Sequence, residues 1–362
     1  MDSNFINENI GQKEITKKQN LLTPEGRLSA PGYSRRHLQV YNRSHIKASG
    51  RRIKEWDYYY IGNDRYGIAL TVADNSYMGL DSISLLDFSK PWQHTKSPMQ
   101  PFTFGKKKMP SSTLEGNVKT KGKNHFICFE HREDSRHLTF YMDDFYKGKP
   151  IEGELTLKCP DMDSMVIATP FKEDKLAFYY NEKINCMPAS GIVRFDGQDL
   201  NFDSSDSFGV LDWGRGVWTY KNTWFWGSAS GLYEGSPFGF NIGYGFGDTG
   251  AASENMIFYK NKGHKISRVK FNIPSMPGIK QSDDKMGGED FLSPWNFTSD
   301  DGRFEMDFIP VIDRSSHTDL GLICSDQHQI FGNFSGKAVL DDGTLITIKN
   351  LPGFAEKVFN KW

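Results

Sequence analysis

The sequence predicts an all-β protein organised as two domains, and three observations carry that prediction. From about residue 56 onward, short segments alternate apolar and polar residues, turn dipeptides separate them, and aromatic residues and glycine are abundant. Aromatics make up 14% of the chain, with 27 Phe, 15 Tyr and 8 Trp beside 35 Gly, a composition that favours strands and tight turns over helices. At 362 residues the chain is too long for one ordinary core and suits two domains of about 100–200 residues each.

In chain order, residues 1–45 form a polar extension rich in Asn, Lys and Arg. The strand-like segments that follow include WDYYYIG (56–62), YGIALTVAD (66–74), HLTFYMD (137–143), EGELTLK (152–158), SGIVRFDG (190–197) and RFEMDFIP (303–310). Asn63-Asp64, Asp196-Gly197, Asp301-Gly302 and Asp342-Gly343 each separate two such runs, as hairpins require. The polar stretch FDGQDLNFDSSDS (195–207) marks an inter-domain link, which gives a first domain at 46–205 and a second at 206–362. Residues 275–300, where Gly, Pro and Asp interrupt every period, read as a surface insertion or a lid.

Charge and cysteine usage narrow the function classes. Lys plus Arg number 44 and Asp plus Glu 45, so a net charge of -1 gives no reason to expect a nucleic acid or an anionic membrane surface as partner. A small neutral or apolar molecule fits better. No run approaches the eighteen or so apolar residues of a membrane span, and the first twenty residues lack the apolar core of a signal peptide, so the expected location is cytoplasmic. Cys128, Cys159, Cys186 and Cys324 lie far apart without CxxC spacing, which points to reduced thiols. His125, His131 and His137 are spaced by six across two strands and a turn, without an accompanying carboxylate cluster, so no metal is expected. GYGFGDTG (243–250) lacks a following Lys-Ser/Thr and an amphipathic helix, so no nucleotide or other cofactor is expected either.

The richest chemistry lies at 209–256. Trp213, Trp218, Trp224 and Trp226 fall within fourteen residues. Strand alternation in VLDWGRGVW puts Trp213 and Arg215 on one face, and Asp212, Gly214 and Gly216 on the other. In PFGFNIGYGFG (237–247), Phe238, Phe240, Ile242, Tyr244 and Phe246 make a bulky face opposite a strip of glycines from which only Asn241 projects. Glycine inside a strand costs roughly 0.5–1 kcal/mol relative to Ala, so something approaches that backbone closely: a protein aromatic, with Trp224 and Trp226 as candidates, or a ligand. Asp248, Glu254 and Asn255 follow as turn residues or as polar groups converging on a cavity. A buried Asp212 among apolar neighbours would have a raised pKa and donate protons, unless Arg215 or another cation pairs with it.

LDWGRGVW (211–218), WFWGSASG (224–231), FGFNIGYGFGDTGAASENMIFY (238–259), the closing GKAVLDDG and NLPGFAEKVFNKW segments, and WDYYYIGNDRYGIALTVADNSYMG (56–79) resemble the uncharacterised family called domain of unknown function 2804. More distantly, the order of motifs is similar to the carotenoid 1,2-hydratase and AttH-like group. That resemblance implies two lipocalin-like (calycin) antiparallel β-barrel domains packed together. It aligns Asp212 with the group's first Asp, Trp224 and Trp226 with its tryptophans, and Glu356 in GFAEK with its terminal Glu; Phe225 replaces the middle Asp of its Trp-Asp-Trp segment.

The function expected on these grounds is a cofactor-independent hydratase, isomerase or cyclase acting on an apolar, isoprenoid- or polyketide-like molecule in an aromatic-lined barrel cavity. Asp212, Arg215 and Glu356 are the catalytic candidates. Trp213, Trp218, Trp224, Trp226, Asn241, Tyr244, Asp248 and Glu254 are the ligand-binding candidates. Two alternatives stand beside it: a non-catalytic lipid or hydrophobic-metabolite carrier, in which Asp212 and Arg215 only pair across the barrel mouth, and a carbohydrate-active or carbohydrate-binding protein.

Overall fold

The structure is a computed structural model that describes residues 11–283, 285–319 and 321–362. The start of the polar extension, residues 1–10, and Asp284 within the 275–300 segment lie outside the described residues. Among the described residues the only helical elements are two 3-10 turns; the rest is strand and loop.

Ten strands make the backbone of the first sheet: β1 (Ile53–Gly62), β2 (Tyr66–Asp74), β3 (Met78–Asp87), β4 (Trp92–Lys96), β5 (Val118–Lys121), β6 (His125–Arg132), β7 (Ser135–Tyr146), β8 (Lys149–Lys158), β9 (Phe178–Phe195) and β10 (Phe208–Val217). Their spatial order is β4-β3-β2-β1-β10-β9-β8-β7-β6-β5, so the last strand returns to pair with the first. The second sheet holds β11 (Lys221–Tyr233), β12 (Ser236–Tyr244), β13 (Met256–Tyr259), β14 (Lys262–Lys265), β15 (Val269–Asn272), β16 (Trp295–Ser299), β17 (Phe304–Asp319), β18 (Cys324–Val339) and β19 (Leu345–Lys361). Its order is β14-β13-β12-β11-β19-β18-β17-β16-β15, the same winding. Each sheet curls into a barrel, and side chains bridge the seam of the first. His94 on β4 bonds the Phe145 carbonyl of β7 at 2.9 Å, and Lys96 pairs with Asp144 at 2.8 Å.

Inward-facing residues fill each barrel, as a strand period of two requires when one face is buried. Tyr59, Ile61, Leu70, Ile83, Phe140, Leu155, Tyr180 and Trp213 belong to the first core. Phe225, Phe240, Phe297, Phe308 and Phe334 belong to the second. The barrels meet through their outer faces, where Tyr60 packs on Phe331 and Phe354, and Asn185 Nδ2 donates to Ser228 Oγ at 2.8 Å.

Three sequence expectations change here. The link near 205 is a hairpin loop, because β10 lies inside the first sheet between β1 and β9; the chain passes to the second sheet at 218–220. The polar extension is not peripheral either. Leu21, Leu22 and Tyr41 enter the first core, while Lys13 N donates to Ala251 O at 2.8 Å, so the segment fastens one barrel to the other. Residues 275–300 stand against the second barrel instead of over a cavity: Phe291 and Trp295 enter its core, and buried Lys357 pairs with Glu289 at 2.5 Å.

Candidate active site

Filled barrels leave the ligand space between them. A cavity of about 210 Å³ opens where β1, β2, β9 and β10 face β11, β17, β18 and β19. Its position corrects the expectation of a cavity inside a barrel: the lumens are occupied by Trp213 and its neighbours on one side and by a phenylalanine cluster on the other. Aromatic walls surround it. Trp56, Trp218, Trp224, Trp226 and Trp362 line it with Tyr58, Tyr179 and Phe246. Trp218 meets Trp56 edge-on at 5.3 Å and stacks on Trp362 at 6.2 Å, and Phe246 sits edge-on to Trp218 and Trp224.

Three carboxylates face this aromatic space: Asp212, Glu254 and Glu356. The β10 register sets Asp212 opposite Lys183 on β9 and opposite Tyr58 on β1, so all three project from one face. Lys183 Nζ lies 2.8 Å from Asp212 Oδ1 and 3.9 Å from the centre of the Trp226 ring. Asn181 Nδ2 also donates to Oδ1, at 2.5 Å, and Trp56 Nε1 donates to Oδ2 at 3.1 Å. Asp212 is therefore an oriented, ion-paired carboxylate whose cation is Lys183. Arg215 is not its partner: Trp213 and Arg215, two residues apart on β10, share one face, and an odd number of residues separates both from Asp212, which projects from the other. Arg215 is fully buried in the first barrel, where Nη2 meets Asp57 at 3.0 Å and the guanidinium lies 4.2 Å from the Trp213 ring centre.

Glu356 reaches the cavity from the second barrel. On β19 it pairs in register with Trp226 and Gln329. Trp224 Nε1 donates to Oε1 at 2.9 Å and Gln329 Nε2 donates to Oε2 at 2.9 Å. Burial dominates its titration and pushes the carboxyl up to about 7; the Trp224 bond and the charges of Arg314 and Lys183 oppose the shift, and Asp212 adds to it. Glu254 is raised for the same first reason, burial, with Lys183 opposing and Asp212 reinforcing. Asn241 stands behind the wall, accepting from Trp226 Nε1 at 2.7 Å and donating to the Glu254 carbonyl at 2.8 Å.

The glycine strips have distinct occupants. A Cβ on Gly214 would lie 1.9 Å from Trp56 Cζ2, so this glycine admits an indole from the neighbouring strand. Gly243 likewise leaves room for the Glu254 carboxyl, whose Oε1 would be 2.7 Å from an added Cβ. Gly214→Ala is expected to displace Trp56, break its bond to Asp212 and cost about 2–3 kcal/mol in urea unfolding, with a changed tryptophan emission spectrum.

Of the residues singled out in the sequence, the cavity gathers Asp212, Glu254, Glu356, Trp218, Trp224 and Trp226. It leaves Trp213 and Arg215 in the first barrel, and Tyr244 in the second, stacked on Phe225 at 4.3 Å. Asp248 sits at a loop with its amide bonded to Pro170 O at 2.7 Å. Lys183, Trp56, Tyr58, Tyr179, Arg314, Gln329 and Trp362 are site residues that the sequence did not single out.

With fold and cavity in view, the family match is decisive: the family described as Domain of unknown function (DUF2804) matches residues 12–362. The chain belongs to that family. Among solved structures it is similar to an AttH-like protein from Nitrosomonas europaea, at 12% identity and a TM-score of 0.53, covering 88% of this chain and 95% of that one. It is also similar to kievitone hydratase from Nectria haematococca, at 11% identity and a TM-score of 0.49, covering 95% and 98%. A third similar structure, CghA, has 10% identity and a TM-score of 0.47, covering 97% of both chains. No curated protein matches the sequence. At these identities the likeness is one of fold, and the DUF2804 chain shares the paired lipocalin-like barrels. Among the described residues, no helix is long and apolar enough to cross a membrane.

Proposed function

We propose that this DUF2804 protein is an acid–base catalyst that adds, removes or relocates a proton on a compact, largely apolar molecule, in the manner of a hydratase or double-bond isomerase. The observation that carries the proposal is the placement of Glu356, a buried carboxyl titrating at about 7, in the same aromatic cavity as the ion-paired Asp212. Two carboxylates in different environments divide the roles of acid and base. Near neutral pH a large fraction of Glu356 carries its proton and can deliver it to an alkene carbon. The positive charge that develops lies against the π faces of the tryptophans. In hydration, water then attacks the cation and gives up a proton to the Asp212 carboxylate; in isomerisation, the substrate carbon gives it up instead. Proton return from Asp212 to Glu356 through solvent restores the starting state. Lys183, Asn181 and Trp56 fix the geometry of Asp212, and Trp224 and Gln329 fix that of Glu356.

The volume bears on the substrate class. About 210 Å³ is below the roughly 300–1,000 Å³ of common ligand pockets, which favours a compact isoprenoid- or polyketide-like reacting unit over a long polyene. Arg215 has no place in this scheme, and the carrier alternative loses its Asp212–Arg215 pair for the same reason.

Native mass spectrometry with organic extraction of protein purified from its own cells tests the proposal, with wild type, Asp212→Asn and Glu356→Gln side by side. The expected result is product in the wild type and its precursor in the variants, differing by water or by an isomerisation. The same lipid in equal amount in all three would make the protein a carrier, and a bound glycan would make it a carbohydrate binder.

A further inference from the structure

The near-neutral net charge conceals one lopsided stretch. Residues 88–114 contain five lysines and neither Asp nor Glu, in a chain with 45 acidic residues. Within it, a short edge strand, Met99–Pro101, and the loop that follows it to residue 108 hold apolar side chains out into solvent: Met99 is 65% exposed, Phe102 63% and Phe104 45%. The two phenyl rings lie nearly parallel, with centroids 6.2 Å apart. Single exposed apolar residues need no explanation, but three together do.

The backbone strengthens the case. Phe102, Phe104 and Lys108 have φ of 56°, 46° and 51°, a left-handed conformation that bulky residues adopt at a cost. The loop is bolted down beneath them. Phe102 N donates to Tyr77 O at 2.8 Å, Phe104 N to Ser76 O at 3.0 Å, and Thr103 Oγ1 to Asp74 Oδ1 at 2.8 Å. Lys107 turns inward to Asp81 at 2.6 Å, while Lys106 and Lys108 on either side of it stay exposed. A rigid platform therefore presents a protruding aromatic pair beside two free-standing cations.

We propose that the 99–108 segment docks this protein on an anionic lipid surface, with Met99, Phe102 and Phe104 entering the headgroup region and Lys106 and Lys108 facing lipid phosphates. Charge complementarity selects that occupant: Lys90, Lys96 and Lys107 pair with Asp87, Asp144 and Asp81, and the remaining lysines of the run, Lys106 and Lys108, stand exposed beside the aromatic pair and suit an anionic surface. Exposure agrees, because side chains that are 45% exposed or more can enter a bilayer interface without a matching partner surface. The position is also apt. Met99 pairs in register with Leu80, and Leu80 and Asn75 line the aromatic cavity, so docking would bring the cavity rim to the lipid from which an apolar ligand partitions. Docking itself is independent of the acid–base chemistry, and its test reads no turnover.

The test is co-sedimentation of the full chain with vesicles of phosphatidylcholine alone or mixed with phosphatidylserine. Wild type is expected to bind the phosphatidylserine vesicles, and to release them as salt rises. Phe102→Gly/Phe104→Gly suits the left-handed backbone, so it should keep the wild-type Tm or raise it, yet weaken binding about tenfold or more. Lys106→Glu/Lys108→Glu should weaken it by about tenfold or more as well. Absence of binding to phosphatidylserine vesicles at low salt overturns the proposal, as does equal binding by wild type and both variants. Binding of a protein partner that depends on the two rings, with vesicles ignored, would assign the patch to that partner and overturn it equally.

Discussion

Glu356→Gln is expected to leave the ligand unconverted and the protein more stable than wild type above neutral pH. The two effects have one origin. Wild-type Glu356 titrates at about 7 in the fold against an ordinary 4.5, so the folded state holds its proton more tightly than the unfolded chain does. For a carboxyl shifted upward, that stabilising contribution is fully present below pH 4.5 and is lost as pH rises through 7. Above that range the wild type carries a buried charge that Gln does not, a difference of about 3 kcal/mol by linkage. Gln can still accept from Trp224, so the fold should persist. Conversion should fall by about 10²–10⁴-fold, the usual worth of a general acid. Urea unfolding of both proteins from pH 4 to pH 9, with conversion of the extracted ligand measured in parallel, checks both halves. Parallel stability profiles would remove the raised carboxyl on which the proposed function stands.

Lys183→Met is expected to be the most destabilising change at the site. Lys183 is the cation 2.8 Å from Asp212, and both are buried. Removing one partner of a buried pair leaves an uncompensated charge, at a cost of about 3–5 kcal/mol. Asp212→Asn made on the Lys183→Met background removes that charge and should recover much of the loss, while Asn181 and Trp56 continue to hold residue 212 in place. The two substitutions should therefore be strongly non-additive in a double-mutant cycle. Additive losses would mean that the pair is not coupled in solution, and the proposed orientation of Asp212 would fail with it.

The sequence made the strand faces legible and the strand neighbours illegible. Alternation correctly separated Asp212 from Trp213 and Arg215, and put Trp224 and Trp226 together on the cavity side of β11. The same alternation already forbade an Asp212–Arg215 pair. Nothing local in NEKIN marks Lys183 as the partner of Asp212, because that contact depends on the β9–β10 register across a long hairpin. Trp56 and Trp362 escaped for the same reason: they flank the tryptophan cluster in space and lie far from it in sequence. The position of the cavity depended on volume. Whether a barrel encloses a ligand or its own side chains is decided by how all inward residues pack, a sum that motif reading does not perform. The 195–207 stretch misled because a polar loop within a sheet has the same composition as a link between domains.

The shared winding of the two barrels has a consequence for how the protein is made. In each, the final strand hydrogen-bonds to the first, so β1 stays without its β10 neighbour until residues some 150 positions later have been synthesised. Closing so long a loop is entropically costly, and topologies dominated by distant pairings fold slowly. The second barrel repeats the delay, and its closing strand is the one that carries Glu356. On the ribosome, Asp212 emerges and can be paired with Lys183 well before the acid that faces it exists. The cavity therefore cannot be completed before β19 exists, and a chain stalled before it would present an open tryptophan wall for chaperones to cover.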